Sequence, residues 1–136
     1  MLGVQTVDDC VTTYNNMKLK HNHRYIIYSI KDNKTIEIEK QADKSKTYDD
    51  FLKELPEEEP RYAVVDVPYD TDDGRPQSKL VFFFWAPDTA KVKPKMVYAS
   101  SKDILKKKLE GLAKEIQAND VSELAYDNVV TELKRK

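Results

Sequence analysis

Apolar residues change their period along this chain, and each change marks an element. Val7, Cys10, Val11, Tyr14 and Met17 recur at helical spacing. They predict a first helix, with Thr6 as its N-cap and Asp9 in its first turn. Residues 24–30 (RYIIYSI) form a β-rich apolar run, and residues 34–40 (KTIEIEK) alternate, with Ile36 and Ile38 on one side and Glu37 and Glu39 on the other. The intervening KDNK reads as a hairpin turn, and the fully charged face makes the second strand a sheet edge. Tyr48, Phe51, Leu52 and Leu55 make a second helical stripe, capped by Thr47 and stopped by Pro56. Glu57, Glu58 and Glu59 then read as a solvated loop. Residues 61–69 (RYAVVDVPY) and 78–86 (SKLVFFFWA) predict a long hairpin around Asp72-Asp73-Gly74. The second of these is apolar at every position from Leu80 to Trp85, as in a strand buried on both faces, so helices are expected on both sides of the sheet. A last helix over residues 121–133 has Leu124, Ala125, Val129, Val130 and Leu133 as its apolar set and ends in Lys134-Arg135-Lys136. Asp120 and Glu123 give it a capped start.

Between the long hairpin and that helix lies WAPDTAKVKPKMVYASSKDILKKKL, residues 85–109. At roughly 100° per residue, Lys91, Lys95, Lys102 and Lys106 fall within about 40° of Lys95, with Ala99 among them. Met96 and Lys107 lie at the margin. Val97, Tyr98, Ile104, Leu105 and Leu109 are taken as the helix's apolar side. The helix therefore has one apolar face and one basic ridge. Lys108 falls among the apolar positions, which a kink or a snorkelling side chain would explain. Apolar spacing alone carries this helix on through GLAKEIQA. A basic ridge is ordinarily just a solvated face. Two features favour a contact surface here: acidic i,i+4 partners are few, Asp103 with Lys107 being the main one, and Ala99 and Met96 interrupt the charges.

Composition narrows the function. A chain of 136 residues is most simply one domain. Charged residues make up 35% of it, yet the net charge is −1, so no global attraction to nucleic acid or membrane is expected and any such attraction must be local. One cysteine, Cys10, excludes an internal disulfide and fits a reducing compartment. No apolar run approaches about 18 residues and no signal-peptide core is present, so a soluble cytosolic protein is expected. His21 and His23 make an H-x-H pair whose only further ligand candidate is the distant Cys10, so a metal site is not expected. ASSKD lacks a nucleophile-elbow glycine pattern, neither histidine has an evident carboxylate orienter, and no phosphate-binding or dinucleotide glycine loop occurs. An enzyme is not expected, nor a cofactor.

WAPDTA, KMVYASSKD, KKKLEG and EIQAND, in that order and spacing, resemble the actin-depolymerising factor/cofilin family. GVQTVDDCVTTYNNMKL, TYDDFLKELPE and RYAVVDVPYD agree, so the resemblance spans essentially all 136 residues. It implies a single ADF-homology domain over residues 1–136. The implied fold is α/β of mixed type, gelsolin-like, with a mixed sheet of about five strands sandwiched by helices. It also implies that Gly111 ends the lysine helix and that a short strand lies near residues 112–116. The implied function is binding of actin monomers and filaments, with depolymerisation and severing of filaments, by a monomeric protein of the cytoplasm and actin cytoskeleton; nuclear entry is left open.

Carried over by position, the monomer contact would comprise Gly3, Val4, Lys95, Met96, Lys102, Lys106 and Lys107, and the filament contact Lys79 and Arg135. Phosphoinositides, which compete with actin in the family, would engage Lys93, Lys95, Lys106, Lys107 and Lys108. There are departures. Leu2 stands where phosphorylation-regulated members carry serine, and Thr6 is the remaining phosphate acceptor nearby. Gln77 and Glu132 stand where some members have basic residues, which points to weaker filament binding and severing. Two alternatives remain: a binder of anionic surfaces, phosphoinositide or nucleic acid, on the same lysines, or a mainly monomer-binding actin regulator. A purely electrostatic contact weakens steeply with salt, which separates the first of these from an anchored protein contact. Nucleic acid is not the expected partner.

Overall fold

The long hairpin is the centre of the fold. In a computed structural model that describes residues 4–135, β4 (Arg61–Asp70) and β5 (Pro76–Trp85) pair antiparallel over their whole length. β2 (Tyr25–Lys31) and β3 (Thr35–Ala42) extend the sheet on one side, and β6 (Lys114–Ala118) joins β5 in parallel on the other. A two-residue strand, β1 (Gln5–Thr6), pairs in parallel with Thr35 and Ile36 of β3, giving the order β1-β3-β2-β4-β5-β6. The sheet thus has six strands rather than about five, and β3 is covered at one end instead of being a free edge. The β2–β3 turn places Asp32 and Asn33 at φ 54° and 58°. These are residues that tolerate the left-handed conformation two-residue hairpins favour.

The apolar run of β5 divides between two cores. Val81, Phe83 and Trp85 face α2 (Tyr48–Glu54) and α4 (Tyr126–Lys134), while Phe82 and Phe84 face α1 (Asp8–Lys20) and α3 (Val92–Lys106). Helices on both faces are what that run required. On the first face Phe83 packs 5.4 Å from Phe51; on the second Tyr62 packs 5.1 Å from Tyr98.

Four local expectations are corrected. Thr6 does not cap α1. Its neighbours are drawn into the sheet, with Gln5 N–H donating to Lys34 and Val7 N–H to Ile36, and α1 starts at Asp8 with no side-chain cap. The last helix is broken. Residues Val121–Leu124 form a 3-10 turn with the expected Asp120/Glu123 capping box, and Ala125 is extended before α4. The break is held from outside: the Leu124 carbonyl accepts from Tyr48 at 2.7 Å, and the Tyr126 hydroxyl donates to Pro68. α3 stops at Lys106, short of Gly111, so Lys108 is an exposed turn residue and needs neither kink nor snorkelling. Gly111 adopts φ 92°, and the strand after it spans Lys114–Ala118 rather than residues 112–116. Thr47, by contrast, caps α2 as expected, in a box with Asp50.

Cys10 is fully buried in α1, and its thiol donates to the Ile36 carbonyl at 3.4 Å. Burial, with the nearby Asp9 and Glu37 charges, pushes the thiol up to about 11. At neutral pH it is neutral and shielded, and the thiolate is the nucleophile. The native protein should therefore leave a thiol reagent such as iodoacetamide unreacted over the time in which a denatured sample is fully alkylated, as read by mass.

Candidate functional site

α3 is seated by its inner face. Tyr98, Ser101 and Leu105 are buried. The Tyr98 hydroxyl accepts from the Ile30 N–H at 2.8 Å, and the Tyr62 hydroxyl donates to the Tyr98 carbonyl. Val97 and Ile104 are half-buried at the margin and Leu109 is buried just beyond the helix. Ser101 is the member of this face that apolar periodicity omits. Its small size lets the helix approach the sheet, and its position three after Tyr98 and four before Leu105 was the available signal.

The outer face presents two large apolar side chains to solvent, Val92 at 72% and Met96 at 65% exposure. They are one helical turn apart and, with Lys93, Val97 and Ser100, line a shallow open depression. Sequence reasoning found Met96 but missed Val92, although the i,i+4 spacing was there. An apolar pair ringed by charge is the composition of a docking surface.

The lysines divide into two sets. Lys102 and Lys106 are not free. Both reach Glu115 of β6, Lys102 Nζ lying 2.6 Å from one carboxylate oxygen while Lys106 bonds the other. The ridge therefore does have an acidic partner, one supplied by the sheet and not by the helix. Glu115 pairs in register with Phe82, whose side chain packs in the α1/α3 core, so it rises on the side that α3 covers. Burial opposes ionisation of Glu115, but hydrogen bonds from Lys102 and Lys106, and their charges, outweigh it and hold the carboxyl below its usual range. Lys95 is half-buried and donates to the Asp88 carbonyl at 3.3 Å. Lys91, Lys93, Lys107 and Lys108 are exposed, and among the described residues none of them forms an ion pair. The turn that follows Lys106 is tied to α1: Tyr14 and Lys18 both donate to the Glu110 carbonyl, at 2.5 and 3.0 Å.

The N-terminal segment approaches the same side. Val4 is half-buried against the α1/α3 core, and β1 lies against α3. Gly3 and Leu2 lie outside the described residues. The Thr6 hydroxyl is buried and has no hydrogen-bond partner among the described residues, so it is not presented to a kinase.

A second basic surface lies at the other end of the long hairpin. Lys79 and Arg135 line one cleft together with Tyr69, Asp72 and Lys134. Lys134 reaches Asp72 at 2.9 Å, which, with the Tyr126–Pro68 bond, clasps α4 to the hairpin. Gln77 is exposed and accepts from Tyr69 at 3.4 Å, and Glu132 lies 3.6 Å from Arg135 and partly neutralises it. The clasp residues Lys134 and Asp72 were read only as parts of a basic end and a turn. Sixty-odd positions of chain separate them. Elsewhere, His23 sits between Asn22 and Gln41, 2.7 Å from each, and His21 ends α1 in the left-handed conformation. Among the described residues no group of three His, Cys, Asp or Glu is placed to hold a metal ion.

Matches to known proteins span nearly the whole chain. A family model described as cofilin/tropomyosin-type actin-binding protein matches residues 3–134. Actophorin of Entamoeba histolytica is 45% identical over 135 residues, covering 98% of this chain and 97% of that protein. Cofilin of Saccharomyces cerevisiae is 41% identical over 135 residues, covering 98% and 94%. The crystal structure of Streptomyces griseoflavus cofilin superposes with a TM-score of 0.90 at 48% identity, covering 98% of each chain.

Proposed function

The chain belongs to the cofilin/tropomyosin-type actin-binding family, and from that premise we propose that it binds actin monomers and filaments and promotes filament depolymerisation through the outer face of α3. The observation that carries the reading is the exposed Val92–Met96 pair on a helix whose opposite face is locked into the core. Each of these side chains gains about 1.5–3 kcal/mol when fully buried, before the costs of association are subtracted. The lysines around them give steering and register toward an acidic partner, while affinity rests on the few desolvated contacts. Lys95, Lys107 and Val4 flank this face and are assigned to the monomer contact with Met96; Lys102 and Lys106 join it through the N–H donors that Glu115 leaves free. Gly3 keeps its assignment by position alone.

The protein acts by binding, and no bond is made or broken. A ligand that prefers one filament twist shifts the filament toward that twist. Mismatch where decorated and bare segments meet then favours breakage. Lys79 and Arg135 are assigned to the filament contact, helped by Lys134, which shares their cleft. Glu132 opposes them, since it holds Arg135. Replacing Gln77 and Glu132 together with arginine should raise filament co-sedimentation and severing while monomer affinity stays within about threefold, or roughly 0.7 kcal/mol. Equal changes in monomer and filament binding would contradict the division into two surfaces.

A second reading rests on Lys93, Lys107 and Lys108, which stand without an acidic partner among the described residues: with Lys95 and Lys106 they offer a patch for phosphoinositide headgroups. Such binding is compatible with actin binding and would compete with it. Action in the cytoplasm follows from the partner; no described helix is long and apolar enough to cross a membrane. The test of the main reading is co-sedimentation with actin filaments beside a monomer-binding assay, each at low and high salt. An anchored contact persists at the higher salt, and a purely electrostatic one does not. No binding to either form of actin at low salt would overturn the reading.

A further inference from the structure

Two lysines of α3 are held by one carboxylate from a different element, and this pairing bears on which partner the helix accepts. We infer that Glu115 is a specificity-determining residue, which by holding Lys102 and Lys106 favours a docked protein surface over a diffuse anionic one. The inference rests on the actin-binding reading above.

The three side chains are a fixed unit. Glu115 and Lys102 are each only 22% exposed and Lys106 39%, so the pairing is partly shielded from solvent. β6 is anchored to β5 along its length, and Ala113 just before it donates to the Leu80 carbonyl at 2.8 Å. α3 is anchored through Tyr98, Ser101 and Leu105. Lys102 and Lys106 are one turn apart, and each gives Glu115 one hydrogen bond. An ammonium has three N–H donors, so each keeps donors for a partner.

An anionic bilayer and a docked protein read this unit differently. A bilayer responds to summed charge near its surface, with little regard for where each donor points. To it, Glu115 cancels one of two lysines. A docked protein makes directed hydrogen bonds. To it, Glu115 is a support, because Lys102 and Lys106 have already lost the rotamer freedom that binding would otherwise remove. The same carboxylate therefore weakens one class of partner and strengthens the other. To a bilayer the Lys102/Lys106 pair keeps one net charge, beside the full charges of Lys91, Lys93, Lys95, Lys107 and Lys108.

The experiment uses the full chain, with Glu115→Gln and Glu115→Asp as variants. Two affinities are measured for each: for actin monomers, and for phosphatidylcholine vesicles carrying about 20% phosphatidylserine. Glu115→Gln removes the negative charge and loosens both lysines. Vesicle binding should rise about fivefold and fall more steeply with salt, while actin binding weakens about threefold. Glu115→Asp keeps the charge, but its shorter side chain does not span both lysines. Vesicle binding should stay as in wild type while actin binding weakens. Vesicle binding that fails to rise in Glu115→Gln, or the two affinities moving together, would overturn the inference. Should the Gln variant not fold, the Asp variant decides alone: weaker actin binding at unchanged vesicle binding supports the inference, and no change in actin binding overturns it. A wild-type chain that binds no actin overturns the functional reading itself, a result distinct from any behaviour of the variants.

Discussion

Replacing Tyr62 with alanine should lower folding stability by about 4 kcal/mol, among the largest effects a single core truncation produces. Tyr62 is fully buried at the middle of the face that α1 and α3 cover. Its ring lies 5.9 Å from Phe82, 5.6 Å from Phe84 and 5.1 Å from Tyr98. Its hydroxyl donates to the Tyr98 carbonyl, so one residue joins β4 to the inside of α3. Burial pushes the phenol well up, with Tyr98 and Asp103 adding to the effect, so the hydroxyl remains a donor at any ordinary pH. Alanine would leave a cavity beneath α3, the helix proposed to bear the contact face. A loss of this size is a large part of the 5–15 kcal/mol typical of a domain. Tyr62→Phe removes only the hydroxyl and should cost about 1 kcal/mol, leaving actin binding intact. Urea unfolding of the two variants checks both values. A small loss for alanine would mean that α3 is not seated through this residue.

Lys44→Met should cost about 3 kcal/mol, because it strands a buried carboxylate. The Asp66 side chain is 3% exposed within β4 and is paired with Lys44 from the segment between β3 and α2. Lys44 itself is about one-third exposed, so some water reaches the pair and the low end of the range applies. Around them Arg24 donates to the carbonyls of Lys46 and Asp66 at 2.9 and 3.0 Å, which pins the same segment. Adding Asp66→Asn to Lys44→Met removes the stranded charge and should recover more than half of the loss. A double-mutant cycle in urea measures this coupling. Additive losses would show that Asp66 does not depend on Lys44.

What could be read beforehand was whatever depends on local pattern. The β2–β3 hairpin was legible because KDNK supplies Asp32 and Asn33, residues suited to positive φ. The two-sided sheet was legible because no polar residue interrupts Leu80–Trp85. The Thr47 cap was legible from one residue beside an apolar stripe. Features set by another element were not. Glu115 meets Lys102 and Lys106 only because β6 runs beside β5, so the ridge looked short of acidic partners. The break at Ala125 has no glycine or proline to announce it, and its tethers come from Tyr48 and Pro68. Thr6 met the local requirements of a cap and was taken by the sheet instead. The meeting of Lys79 with Arg135 followed from family resemblance alone, since no periodicity links a strand to a helix fifty-six positions on. The clasp that holds their elements together emerged only in three dimensions.

The central claim is that the outer face of α3 is the actin contact, and the measurement closest to it is the affinity of Lys95→Ala/Met96→Ala for actin monomers. Met96 lies away from Tyr98, Ser101 and Leu105, Lys95 is half-buried at their flank, and alanine is the best helix former, so the melting temperature should stay within a few degrees of wild type. Met96 is 65% exposed, so its removal takes little from the core, and Lys95 loses only its bond to the exposed Asp88. If these residues are an anchor and its flanking charge, their loss should weaken monomer binding more than tenfold, about 1.4 kcal/mol or more. A folded double variant that binds actin as tightly as the parent would contradict the account.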